Sequence, residues 1–280
     1  MEMGESLSRL DAPNSHRPRC WMTNGMGLML AAFAGILFAV TPARSQTADA
    51  FSGWTSFIVA ADWTDSRGQT IEAFDNARRD LALAFQRAGF ERALMADYTL
   101  NPEHREAVTP AEAIAGFEAA AARGTAGCLA YITSHGAPSR NTQPGYIVFG
   151  PDGRIEPAGM RSILERTCGT RPTVVVISAC FSGGFIPALA APNRMIITAA
   201  RLDRSSFGCG AGITYPYIDE CVIQALESTP DFIALANDAR TCVAQRERAE
   251  GLSPPSEPQV SIGAHMQLLA PTLRFRRGGP

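Results

Sequence analysis

Two stretches decide the fold of this chain: Cys128-Leu-Ala-Tyr-Ile-Thr-Ser-His135-Gly136 and Thr173-Val-Val-Val-Ile-Ser-Ala-Cys180. Each is a short apolar run with the length and the β-branched or aromatic content of a buried strand. The segment between them is long enough for a crossover helix, so the pattern predicts two parallel strands of one sheet. Ligands bind at the carboxyl ends of such strands, and these two end in a histidine and a cysteine.

The histidine and the cysteine form a candidate catalytic pair. Neighbouring strands lie about 4.8 Å apart, so His135 and Cys180 are expected side by side above one sheet edge. A thiolate attacks carbonyl carbons far better than a thiol, and a nearby imidazole favours it. The amides of Gly136 and Cys180 are placed to donate hydrogen bonds to an oxyanion. We therefore predict Cys180 as the nucleophile, His135 as its base and Gly136 as an oxyanion donor.

Strands alternate with helices along the rest of the chain, which predicts a layered α/β sandwich. A threonine followed by proline at 109–110 predicts the start of a helix. The tail, 259–275, is mildly apolar and gives no clear element. Further strands are predicted at 54–61, 93–96 and 194–200, a hairpin at 146–155, and helices at 74–88, 109–123, 157–168, 218–226 and 230–250.

The composition limits the classes of protein. The chain has 280 residues, 46% hydrophobic content and a formal net charge of -2. This suits one domain with a substantial core, and the charge is not basic enough to indicate a nucleic-acid partner.

The first fifty residues read as a targeting segment. Arginines precede the apolar stretch 25–40, which is shorter than the roughly 20 residues of a membrane-spanning helix. This predicts a signal peptide at 1–50, with Ala43 or Ala50 as candidate cleavage points, followed by one domain at 51–280. The protein would then be periplasmic or secreted. The alternative is an inner-membrane anchor, and contact with a membrane is expected only if the leader is retained.

An exported chain can form disulfides, so each cysteine is expected to be either bridged or free. Apart from Cys180 and a cysteine in the leader, five remain, so at least one should be free. Cys128 lies inside an apolar strand and is expected to be a buried free thiol. Cys209 and Cys221 are the candidate local bridge. There is no Cys-x-x-Cys pair and no histidine cluster, so no metal site is predicted.

These motifs together resemble a known family. An apolar block with His-Gly, followed 45 residues after the histidine by Ser-Ala-Cys, is similar to the caspase-like cysteine peptidases. Within that group the chain resembles the legumain or haemoglobinase family, peptidase family C13, and particularly its bacterial exported members. The resemblance covers roughly 54–269. The motifs that carry it are Thr133-Ser-His-Gly136, Ser178-Ala-Cys-Phe-Ser-Gly-Gly184, Ile197-Thr-Ala-Ala200 and Asp203-Arg-Ser-Ser-Phe-Gly-Cys209.

The resemblance implies a caspase-like three-layer α/β sandwich with a mostly parallel central sheet flanked by helices. It also implies hydrolysis of peptide bonds in a peptide or protein substrate through an acyl-thioester, without a metal or an organic cofactor. The family's nucleophile matches Cys180, its base matches His135, and its oxyanion donors match the backbone of Gly136 and Cys180.

The substrate pocket follows from the same resemblance. Where legumain has an acidic residue two before the cysteine, this chain has Ser178, and Asp75 lies in the segment that replaces an Arg-His pair. We therefore expect Ser178 and Asp75 at the pocket, and the asparagine specificity of legumain is not carried over to this chain. The family's other pocket positions match Ala199, Ala200, Ser205 and Ser206.

Two other functions are compatible with these motifs. A transamidase or peptide ligase would use the same thioester, because water and an amine compete for one acyl-enzyme. A non-catalytic envelope binding domain would keep the fold with an idle site. The sequence does not indicate an oligomeric state.

Overall fold

A computed structural model describes residues 49–65, 67–138 and 145–276. The leader predicted at 1–50 lies outside these residues except for its last two positions. Within the described ranges, no helix combines the length and the apolar character that crossing a membrane requires.

A six-stranded sheet forms the centre of the molecule, and a small three-stranded sheet lies beside it. In sheet order the central strands run β2-β1-β3-β7-β8-β9, and all neighbours are parallel except β8 and β9. In chain order the strands are β1 Trp54–Ala60, β2 Met95–Thr99, β3 Gly127–Thr133, β4 Gly136–Ala137, β5 Tyr146–Val148, β6 Arg154–Ile155, β7 Thr173–Ser178, β8 Arg194–Thr198 and β9 Gln259–Ile262.

Helices cover both faces of the central sheet. One face packs against the first, fifth and sixth helices, and the other against the second and third. Because both faces are covered, the central strands read as continuous apolar runs instead of alternating ones. The predicted α/β sandwich with a mostly parallel sheet is confirmed. The helices are α1 Ala73–Ala88, α2 Pro110–Arg123, α3 Pro157–Thr167, α4 Ile186–Leu189, α5 Tyr217–Ser228, α6 Phe232–Ala249 and α7 Ala264–Leu269.

Helix α2 begins where the sequence predicts. The Thr109 hydroxyl accepts a hydrogen bond from the Glu112 amide, and the Glu112 carboxylate accepts one from the Thr109 amide. Pro110 takes the first helical position, where no amide hydrogen is needed. This reciprocal cap satisfies two amides that the helix leaves without partners.

The disulfides differ from those expected. Cys128 is bonded to Cys168, and Cys221 to Cys242. The predictions of a free Cys128 and of a Cys209–Cys221 bridge were therefore wrong. Cys128 points from β3 toward the end of α3, where Cys168 follows the last helical residue, and the second bridge joins α5 to α6. Cys209 is one of two free cysteines among the described residues, the other being Cys180.

The tail holds a strand and a helix that the sequence did not indicate. Strand β9 adds to the edge of the central sheet, antiparallel to β8, with Ile262 opposite Met195. It is only four residues long and half-buried. Val260 and Ile262 pack against the core. The strand is therefore stabilised by contacts with residues that are distant in the sequence.

Candidate active site

The candidate site begins where β3 and β7 end. The two strands are parallel neighbours, and Thr133 lies opposite Ser178 in the register. The Ser134 amide donates to the Ser178 carbonyl at 3.0 Å, which extends the pairing one residue further. His135 follows Thr133 by two residues and Cys180 follows Ser178 by two, so both side chains leave the same sheet edge. The predicted arrangement of these strands is confirmed.

The imidazole of His135 is held on two sides. Its Nε2 lies 2.9 Å from the Thr64 carbonyl oxygen, in the loop after β1. A carbonyl only accepts hydrogen bonds, so Nε2 carries a hydrogen and Nδ1 is left to exchange a proton. The ring also meets Phe74 edge-on, with centroids 5.1 Å apart. The orientation of the imidazole is therefore set before any substrate arrives.

The sulfur of Cys180 lies among polar groups, and as a thiol it donates to the Ser206 carbonyl oxygen at 3.5 Å. The Ser206 amide donates to it at 3.2 Å, and the Ser206 hydroxyl lies 3.5 Å away. A hydrogen bond from the Cys209 thiol lowers the pKa of Cys180 most, burial opposes this, and Ser206 and the charge of His135 lower it further, to about 5. A thiol with this pKa is a thiolate at neutral pH, which is the form that attacks carbonyl carbons.

Cys209 keeps its proton under the same conditions. Its hydrogen bond to Cys180 and its burial both raise the pKa of the Cys209 thiol. It packs against a small apolar cluster that includes Phe74, the residue that contacts His135. Sequence reasoning assigned Cys209 to a disulfide and missed this role, although its position three residues after Ser206 was a signal.

The backbone around Cys180 is tightly turned. Phe181 adopts a left-handed conformation, with φ 60° and ψ 13°, which residues other than glycine rarely take. Its amide donates to the Arg204 carbonyl at 2.8 Å, and the buried Ser182 hydroxyl accepts from the Ala200 amide at 3.2 Å. A conformation of this kind is typical of functional sites, and here it ends the extended chain directly after Cys180.

Gly136 packs directly against this turn. A Cβ atom at Gly136 would lie 2.1 Å from the Cys180 carbonyl oxygen and 3.1 Å from its carbonyl carbon. Only glycine fits there, and the close approach brings the residue after His135 into contact with the backbone of the cysteine.

The expected pocket residues differ in exposure. Ser178, Ala199 and Ala200 are buried. Ser205 is exposed, and Ser206 contacts the Cys180 sulfur as described. Ser206 is thus the expected pocket residue that reaches the cysteine, and the roles of the others in binding stay predictions.

Asp75 lies in a cluster of charged groups at the start of α1. Its buried carboxylate is 3.5 Å from Nε of Arg78 and 3.6 Å from Nε2 of His104. With Glu72 it forms a group of three potential metal ligands. Because Arg78 already pairs with the same carboxylate, we assign the cluster to charge pairing instead of a metal site. A role for Asp75 at the pocket stays a prediction.

Comparison with known proteins finds one family model that matches part of the chain. Residues 123–236, which include His135, Cys180 and Cys209, match the model of the Peptidase C13 family. Over these residues the resemblance to peptidase family C13 is confirmed, and the exported bacterial type stays a prediction. No curated protein matches the chain at a significant level.

The fold is similar to that of caspase-1 from Spodoptera frugiperda. The TM-score is 0.54 at 12% sequence identity, and the match covers 77% of this chain and 88% of the caspase chain. At this identity the likeness shows the fold alone, and it confirms the expected caspase-like sandwich. The C13 match and the caspase fold together support a cysteine-type peptidase.

The role of Cys209 can be tested by removing its hydrogen bond. Cys209→Ala should raise the pKa of Cys180, because a hydrogen bond to a charged group contributes about 1.5–3 kcal/mol, equivalent to about one to two pH units. The measurement is the rate at which iodoacetamide alkylates Cys180 against pH, followed by peptide mass. In the wild type the inflection is expected near pH 5.

Cys209→Ser is the matched control for this measurement. A serine hydroxyl retains a donor at nearly the same place, so its inflection should stay close to that of the wild type. An inflection that is equally low in Cys209→Ala would show that Ser206 and His135 are sufficient to ionise the sulfur.

Proposed function

We propose that this protein is an exported cysteine endopeptidase that hydrolyses peptide bonds through Cys180, His135 and an acyl-thioester intermediate. The observation that carries the proposal is the position of the Cys180 sulfur, at the strand end next to the one that leads to His135, where the Ser206 amide donates to it at 3.2 Å. The pKa of this thiol, lowered by Cys209 and Ser206, agrees with a reactive cysteine. An inert buried cysteine has a raised pKa, whereas a reactive one lies among donors.

In the first step the thiolate attacks the carbonyl carbon of the substrate. A C–S bond forms, and the π electrons of the carbonyl move onto its oxygen. The amides of Gly136 and Cys180 are proposed to donate to this oxyanion. Loss of one such donor typically raises the barrier by about 3 kcal/mol.

In the second step the tetrahedral intermediate collapses and the C–N bond breaks. His135 gives the proton on Nδ1 to the leaving amine, while Nε2 stays bound to the Thr64 carbonyl. Since the sulfur is already ionised, the main task of His135 is to act as this acid. An amide nitrogen is a poor leaving group until it is protonated, so the step depends on the imidazole.

Hydrolysis of the thioester completes the cycle. Neutral His135 takes a proton from water, the oxygen attacks the thioester carbon, and the C–S bond breaks to release the acid product and the Cys180 thiolate. The imidazole regains the proton it lost in the previous step, so the site returns to its starting state.

Peptide and protein chains are the proposed substrates. Ser205 and Ser206 are proposed to line the pocket next to the sulfur, with Ala199 and Ala200 beneath them. The sequence pattern of 1–50, which predicts a signal peptide, is the basis for proposing export to the periplasm or secretion.

The proposal is tested with peptide acyloxymethyl ketone probes of varied sequence. The wild-type protein should gain the mass of one probe on the peptide that contains Cys180, and Cys180→Ala should gain none. The matched control replaces the other free cysteine of the described residues, because Cys242 is in a disulfide. Cys209→Ala should still be labelled on Cys180. Folded wild-type protein that resists every probe in the panel and cleaves no peptide in a positional library would contradict the proposal.

A further inference from the structure

The carboxylate of Asp219 lies fully buried beneath the ends of β3 and β7. It projects from the first turn of α5. The Tyr131 hydroxyl donates to its Oδ1 at 2.6 Å, and the Thr133 hydroxyl donates to its Oδ2 at 2.6 Å. The short lengths are typical of hydrogen bonds to an ionised acceptor.

Both donors belong to β3, the strand that precedes His135. Tyr131 and Thr133 point to the same side of β3, because alternate residues of a strand share a face. His135 follows Thr133 by two residues. Ser178 lies opposite Thr133 on β7, and Cys180 follows Ser178 by two residues in the same way.

Ser178, the β7 residue opposite Thr133, also acts on this carboxylate. Burial raises the pKa of Asp219 to about 6, while hydrogen bonds from Thr133, Tyr131 and Ser178 lower it. One acidic group therefore binds the strand that leads to the histidine, and its pKa responds to a hydroxyl on the strand that leads to the cysteine.

The start of α5 is also connected to the loop that holds the sulfur. The Tyr217 amide donates to the Phe207 carbonyl at 3.1 Å, and Phe207 follows Ser206, whose amide contacts the sulfur of Cys180. The first turn of α5 is thus close to β3, to β7 and to the loop that contains Ser206.

This carboxylate is costly for the fold alone. A buried ion loses its hydration, and apolar residues of similar volume often stabilise a core equally well or better. Among the described residues, no arginine or histidine forms a salt bridge with Asp219. The proposed chemistry does not use it as an acid or a base. It nevertheless accepts a hydrogen bond from Thr133, two positions before His135, and its pKa is lowered by Ser178, two positions before Cys180.

We propose that Asp219 is a positioning residue, which fixes the ends of β3 and β7 and thereby the placement of His135 relative to Cys180. The inference rests on the proposed peptidase function. It predicts an effect on the chemical step, which depends on the alignment of the two groups, and little effect on substrate binding.

The test uses Asp219→Asn, which keeps the size of the side chain and removes its charge. We expect kcat to fall about 10- to 100-fold, because a small misplacement of reacting groups has effects of this size. KM should stay within about twofold of the wild-type value, since no substrate contact is removed. Rates are divided by the number of competent sites, counted with an irreversible probe.

Variants of Thr133 provide the matched pair. Thr133→Val removes one donor with little change in shape and should lower kcat per site in the same way. Thr133→Ser keeps the hydroxyl and should restore kcat to near the wild-type value. If Asp219→Asn does not fold, this pair carries the test.

The outcomes separate the positioning role from a structural one. Variants that melt at lower temperature but keep the wild-type kcat per competent site would overturn the inference and leave the peptidase function intact. Wild-type protein without turnover and without labelling would overturn both.

Discussion

Replacing His135 with alanine is expected to lower peptide turnover by about 10²- to 10⁴-fold while leaving Cys180 ionised. The pKa of Cys180 is lowered chiefly by the Cys209 thiol and then by Ser206, and the charge of His135 is the smallest contribution. The thiolate therefore survives the substitution. What is lost is the proton for the leaving amine, and general acid–base catalysis contributes typically 10²- to 10⁴-fold.

Two measurements on one variant check this expectation. The kcat/KM for a peptide substrate should fall about 10²- to 10⁴-fold. The iodoacetamide inflection of Cys180 should stay near pH 5, with the thiolate present above that pH and lost as the pH falls through it. His265→Ala, in the exposed helix α7, is the control, and neither quantity should change in it.

The opposite pattern would assign a different role to the histidine. If the inflection rises toward the ordinary value of about 8.5 in His135→Ala, then the imidazole is what ionises the sulfur. If peptide turnover persists at the wild-type rate, His135 is not the acid, and the proposed mechanism fails at its second step.

Much of the fold could be predicted from local pattern. The runs that became β3 and β7 are apolar because both of their faces are covered, and Thr109-Pro110 marks a helix start through its own hydrogen bonds and dihedral angle. Strand β9 was not predictable in this way. It is short and half-buried, and its partner β8 lies more than 60 residues earlier, so only the assembled sheet defines it.

Disulfide pairing failed for a related reason. Cysteine spacing allows several connectivities, and the correct one depends on which helix packs near which strand. Cys128 is bridged to Cys168, 40 residues later, because the end of α3 returns to β3. Cys209, which was expected to pair with Cys221, is free and lies beside the nucleophile.

The candidate site also contains residues that the sequence indicates and residues that it does not. His135, Gly136 and Cys180 stand in motifs whose residue types and spacing indicate chemistry. Thr64 contributes only a backbone carbonyl, which any residue type supplies, so no sequence signal exists for it. Asp219 reads as an ordinary acidic residue in the first turn of a helix, where such residues favour the helix dipole, and its hydroxyl partners become visible only in the folded chain.

Gly136→Ala is expected to remove activity without touching either reacting side chain. The new Cβ would lie 2.1 Å from the Cys180 carbonyl oxygen, which is far inside van der Waals contact. The contacted oxygen is backbone, and the position of a Cβ is fixed by its own backbone, so neither atom can rotate away as the end of a flexible side chain would. The strands must separate at their ends, and the amides proposed to bind the oxyanion move with them.

We expect kcat/KM to fall at least about 100-fold, because displacing oxyanion donors or the reacting pair costs this much or more. Overpacking of this kind also destabilises folded proteins by about 1–3 kcal/mol. Activity is therefore measured per competent site, at a temperature where circular dichroism shows that the variant is folded.

Gly184→Ala is the matched control, since it makes the same change four residues after the cysteine. The nearest heavy atom to a Cβ at Gly184 is the Cβ of Leu202, at 4.0 Å, so an alanine fits in ordinary contact. Substitutions of this kind usually change stability by less than about 0.5 kcal/mol, and turnover should be nearly unchanged. Full activity in Gly136→Ala would mean that the close approach of the two strand ends is not required, and the oxyanion site would then have to be sought elsewhere.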